Sequence, residues 1–136
     1  MMMEQLEERA ITGALICDID FFRMLYQSQA RMVARTGNAI HIALLSLRSR
    51  RNRDVTQKQI AHAMDNLEEH MRQSLRKGDV ITRCSASQFI IMLPQASYEN
   101  SRMVCRRVIT GFERKYPHAP VYVDFYVNPL RPVYNA

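Results

Sequence analysis

From Ile40 to Val127 the hydrophobic period switches between strand and helix in the order strand, helix, strand, strand, helix, strand. That order restricts the fold more than any other feature. Ile40–Leu47 is a near-continuous apolar run, as expected of a strand covered on both faces. Ile60, Met64, Leu67, Met71 and Leu75 then recur at helical spacing, behind a Thr56/Gln59 pair with capping-box spacing. Val80–Cys84 and Phe89–Leu93 read as two strands of a hairpin around Ser85-Ala86-Ser87-Gln88. Ser97 opens a third helix carrying Val104, Cys105, Val108, Ile109, Phe112 and Tyr116, which Pro117 and Pro120 stop. Val121–Val127 alternates apolar and polar residues, the mark of a half-buried strand.

The βαββαβ order predicts an α+β, ferredoxin-like core: an antiparallel sheet with two helices over one face. Ahead of it, Phe22, Leu25, Tyr26, Met32 and Val33 predict an extra N-terminal helix, with Asp20 as its cap and Gly37-Asn38 as its end. This helix is expected to pack beside the other two. Residues 1–19 read as a polar leader with a short strand-like segment at Ile11–Asp18, and residues 20–136 as a single domain.

Composition removes several classes. No apolar run reaches the ~18 residues of a membrane span, and the N-terminus lacks a basic region followed by an apolar stretch. The three cysteines show no CxxC spacing, which fits reduced thiols in a cytoplasmic chain. The four histidines form no HExxH, and no metal or cofactor is expected. A net charge of +6 permits an anionic partner. The basic loop Arg48, Arg50, Arg51, Arg53 is a candidate anion-binding site, against the reading of a solvated loop. It has no interleaved aromatic residues, so direct nucleic-acid contact by this domain is not expected.

The stretch Leu75-Arg76-Lys77-Gly78-Asp79-Val80-Ile81-Thr82-Arg83-Cys84-Ser85-Ala86-Ser87-Gln88-Phe89-Ile90-Ile91-Met92-Leu93-Pro94 resembles the centre of the GGDEF family. That family makes cyclic di-GMP on a ferredoxin-like core. Arg76, Asp79, Arg83, Phe89, Leu93 and Pro94 match its pattern without a gap, and the likeness extends over roughly residues 20–130. The departures fall on the chemistry. Ser85-Ala86-Ser87-Gln88 replaces Gly-Gly-Asp-Glu ahead of Phe89, and the preceding strand ends Ser46-Leu47-Arg48-Ser49-Arg50 where the family carries metal-binding aspartates. Cβ atoms at Ser85 and Ala86 obstruct the close approach that glycines allow. Neutral side chains do not replace the carboxylates that magnesium favours. Asp18-Ile19-Asp20 imitates the family's metal motif, but a helix and a strand too many separate it from Ser85, so both aspartates read as structural.

The resemblance also places Arg76 and Asp79 at the family's Arg-x-x-Asp site for cyclic di-GMP. Guanidinium forks suit phosphate and guanine acceptors, and a carboxylate accepts from guanine N–H groups. The residues leave a second reading open: a helix end whose cations complement the dipole, with Asp79 bonding in the turn. A softer resemblance links Cys17-Asp18-Ile19-Asp20-Phe21-Phe22 and Ile42–Leu47 to the C-terminal region of certain bacterial transcriptional regulators. These readings together predict a degenerate GGDEF-like domain that is not an enzyme, has no catalytic residues, and serves as a regulatory or dimerisation module. Its expected partners are a protein, a neighbouring domain or a second copy, with a cyclic dinucleotide receptor as the alternative. No membrane association is expected.

Overall fold

Each helix begins where a side chain accepts the first free N–H groups. In the computed structural model, which describes residues 13–132, Asp18 caps α1 (Ile19–Thr36) by accepting from Phe21 N at 2.8 Å. The predicted cap, Asp20, instead sits in the first turn and pairs with Arg23. Thr56 and Gln59 form the expected capping box of α2 (Gln57–Ser74), and Ser97 caps α3 (Tyr98–Lys115). Gly37 ends α1 in the left-handed region, its N–H donating to Val33 O.

The strands are β1 (Leu15–Cys17), β2 (His41–Ser49), β3 (Val80–Ser85), β4 (Gln88–Leu93) and β5 (Val121–Pro129). They form one sheet in the order β1-β3-β4-β2-β5. The βαββαβ core is antiparallel as predicted, but β1 adds a parallel pairing to β3, so the whole sheet is mixed. The strand-like part of the leader is therefore a sheet strand, and Ala14 lies in the core at 1% exposure. The expectation for residues 1–12 lies outside the described residues.

The sheet is covered on both faces by separate clusters. Ala43, Leu45, Ile81, Phe89 and Ile91 pack against α2 and α3 through Met64, Leu67, Cys105, Val108 and Phe112. Their alternate neighbours Ile42, Val80, Ile90 and Met92 pack with Phe22, Leu25, Tyr26, Ala30 and Val33 of α1. Strand side chains alternate between faces, so these two sets must point in opposite directions. The leading helix thus lies across the sheet from α2 and α3, not beside them as the sequence suggested. The near-unbroken apolar run of β2 is the consequence of this double covering.

No helix among the described residues is long and apolar enough to cross a membrane.

Candidate ligand-binding site

The hairpin joining β3 and β4 is held by its own side chains. Ser85 Oγ donates to Gln88 Oε1 at 3.0 Å and accepts Ser87 N–H at 3.3 Å. Gln88 Nε2 donates to Ser46 Oγ on β2 at 3.1 Å, and Leu47 N donates to Ser87 O at 2.8 Å. Phe89 is fully buried beneath the guanidinium of Arg83, which is 5.6 Å from its ring. Arg83 in turn pairs with Glu68 and Asp65 of α2, each at 2.8 Å. Ser85, Ala86, Ser87, Gln88 and Phe89 therefore form a self-satisfied turn docked onto β2.

The GGDEF likeness implies magnesium at this turn. The side chains assembled there are the hydroxyls of Ser46, Ser85 and Ser87 and the amide of Gln88. Just beyond them, Arg48 pairs with Asp124 at 3.3 Å. Asp124 is the one carboxylate among these groups and is paired with Arg48; the hydroxyls and the amide do not suit a magnesium ion, which takes carboxylate oxygens. Among the described residues, no cluster of three or more His, Cys, Asp or Glu side chains could hold a metal. Asp18 and Asp20 lie at the start of α1, occupied as a cap and as a partner of Arg23.

The basic loop does not act as one patch. Arg48 is engaged with Asp124, and Arg50 Nε donates to Ala119 O at 3.1 Å. Arg51 and Arg53 are exposed.

Arg76 and Asp79 come together at the opposite end of β3, about 17 Å from the hairpin by strand length. Helix α2 stops at Ser74, and the chain turns tightly into β3. Asp79 N donates to Arg76 O at 3.0 Å, while Arg76 N donates to Asp79 Oδ2 at 2.8 Å. Leu15 N of β1 donates to Asp79 O at 3.0 Å, fixing the residue from its other side. Asp79 is only 8% exposed. Burial pushes its carboxyl above the ordinary value, against the pull of the Arg76 N–H and the charges of Arg76 and Arg107. Its second oxygen, Oδ1, has no hydrogen-bond partner among the described residues.

A cavity of about 340 Å³ opens over this carboxyl. Arg76 and Asp79 form one wall; Asn100, Met103, Val104 and Arg107 of α3 form the other, with Leu93, Gln95 and Ala96 between. Two arginines and one buried aspartate thus line one space. Sequence reading missed Arg107. Its only signal was the i, i+3, i+4, i+7 stripe Asn100, Met103, Val104, Arg107, which lies beside the buried face of α3. The turn reading of Asp79 is met by Oδ2, and the residue also lines the cavity.

No protein-family model and no curated protein matches the chain. Solved structures do. The diguanylate cyclase SiaD from Pseudomonas aeruginosa, in complex with its activator SiaC, superposes with a TM-score of 0.71 at 17% identity, over 98% of this chain and 55% of that one. The chain thus spans little more than half the length of SiaD. A diguanylate cyclase protein from Thermotoga maritima matches with a TM-score of 0.68 at 12% identity, over 88% of this chain and 83% of that one. The coiled coil and GGDEF domain of DgcB from Caulobacter crescentus, in complex with cyclic di-GMP, matches at 0.65 and 10% identity, over 96% of this chain and 75% of that one. The fold is that of a GGDEF domain. This corrects the expectation that the chain is not an enzyme: the solved structures that share its fold include diguanylate cyclases, so the architecture argues for no such exclusion.

Proposed function

We propose that this chain is a regulatory GGDEF-like domain of cyclic di-GMP signalling, and that it binds the cyclic dinucleotide in the Arg76–Asp79 cavity. The observation that carries this reading is the buried Asp79 carboxyl, which lines one cavity together with Arg76 and Arg107. Arginine recognises phosphate or the O6/N7 edge of guanine with paired N–H donors. A carboxylate oxygen accepts from guanine N–H groups. The cavity lies at the small end of ligand sites, which span ~300–1,000 Å³. It takes one guanine and a phosphate, leaving the rest of a dinucleotide at its mouth beside exposed Met103.

The bound signal passes to a neighbouring domain or partner. The outer surface of α1 supports this reading, since it exposes Phe21, Met24 and Met32 beside the sheet-facing stripe. The softer likeness to transcriptional regulators makes a DNA-binding domain the first partner to look for.

Calorimetric titration with cyclic di-GMP tests the site. The unmodified chain binds, and Arg76→Ala loses most of the heat. A flat titration of the unmodified, folded chain overturns the reading.

A further inference from the structure

A second concavity lies at the other end of the helix pair, remote from Arg76. It opens between the first half of α2, the last turn of α3 and the loop 116–120, with a volume of about 690 Å³. Its floor is apolar: Ala63 is 4% exposed and Phe112 1%, and Tyr116, Ala119 and Pro120 are half-buried. Its rim is basic. Lys58, His62, Lys115 and His118 all line it, and no aspartate or glutamate does. Among the described residues, the side chains of Lys58, His62 and His118 make no hydrogen bond or ion pair, and all three are exposed.

The Arg50–Arg53 loop belongs to the same surface. Arg50 Nε donates to Ala119 O at 3.1 Å and Arg50 N to Pro120 O at 2.9 Å, tying the loop to the groove wall. Arg51 and Arg53, exposed on the loop that Arg50 anchors here, add positive charge near the groove, with exposed Asp54 beside them. The walls are preformed: the capping box fixes the start of α2, and Ala119 N donates to Tyr116 O at 3.2 Å.

We propose that this groove docks an acidic segment of a partner protein. One apolar side chain of that segment sits over Ala63 and Phe112, and flanking carboxylates meet Lys58, Lys115 and the arginine loop. A dry centre with a charged rim is the usual anatomy of such contacts. Charge complementarity selects the acidic partner. Nucleic acid fits poorly, because stacking needs an open aromatic face. Phe112 is buried, and Tyr116 lies against Phe112 at 5.3 Å with Lys115 Nζ 5.8 Å from its ring.

The probe is a fluorescein-labelled peptide of about twelve residues with a central leucine flanked by glutamates, read by anisotropy at low salt. It binds, and the paired variant Lys58→Glu with Lys115→Glu weakens it by about ten-fold or more, as does raising the salt. Leucine-to-serine replacement in the peptide weakens it about five-fold. Arg76→Ala changes nothing, which separates this groove from the dinucleotide cavity. Amide resonances of Ala63, Phe112 and Ala119 in the unmodified protein shift on titration, so the test survives if the double variant misfolds. Equal binding of the serine peptide, indifference to charge reversal with no shift at those three amides, or equally efficient displacement by a short oligothymidylate would overturn the proposal.

Discussion

Asp79 accepts the backbone N–H of Arg76 at 2.8 Å while its carboxyl lies buried at 8% exposure. Burial raises its pKa above the ordinary 3.8. The sign follows from linkage. In the window above 3.8 the folded state holds the proton that the unfolded state has released. The stability Asp79 contributes is thus complete below 3.8 and lost as pH climbs through the raised folded value. Asp79→Asn keeps an acceptor for Arg76 N but does not titrate. Urea unfolding from acid to neutral pH should show a decline in the unmodified chain that the variant lacks. Parallel curves would contradict the assignment.

Arg107 touches the cavity from α3 and is exposed. Arg107→Ala should leave stability within about 0.5 kcal/mol, as surface changes usually do. It should weaken cyclic di-GMP about ten-fold, because a hydrogen bond to a charged group contributes ~1.5–3 kcal/mol. Lys77→Ala, at an exposed neighbour that does not line the cavity, is the control. Calorimetry that cannot tell the two variants apart would remove Arg107 from the site.

The βαββαβ core was legible because periods of 2 and 3.6 alternate cleanly from Ile40 onward, and because Thr56, Ser97 and Gly37 are local signals that need no tertiary context. The side of the sheet taken by α1 was not. Phe22, Leu25 and Tyr26 announce a buried stripe but do not say which face buries it. The answer lay in β2 and β4: Ile42 and Met92 are as apolar as Ala43 and Ile91, so both faces needed a cover. At the site, Arg76 and Asp79 are three residues apart and visible together. Arg107 reaches them only after two strands and the first half of a helix have folded back, and no spacing rule records that.

Ile91 and Met92 are sequence neighbours at 1% exposure that belong to opposite cores. Truncating either to alanine should cost about 2–5 kcal/mol. Their local effects should differ. Met92→Ala removes the sheet's contact with the α1 cluster, so amide exchange should accelerate across Ile19–Thr36. Ile91→Ala should leave those amides protected and loosen α2 and α3 instead. The same exchange pattern from both variants would mean that the two clusters are energetically one.

Gly13 and Gly37 both have positive φ, at +83° and +72°. Their surroundings differ. Nothing lies near a Cβ at Gly37, whereas a Cβ at Gly13 would run into the carbonyl oxygen of Arg72. Gly37→Ala should therefore cost only the left-handed strain, about 1 kcal/mol. Gly13→Ala adds a clash with backbone that cannot rotate away. It must displace the Ala14 N–H from Arg72 O, and with it the Leu15 N–H that holds Asp79 O. We expect a loss of about 3 kcal/mol or more in denaturant unfolding. The Leu15–Cys17 amides should also exchange faster, since among the described residues β1 pairs only with β3, over three positions. Equal losses for the two variants would show that β1 adapts freely, and that Asp79 does not depend on it for its position.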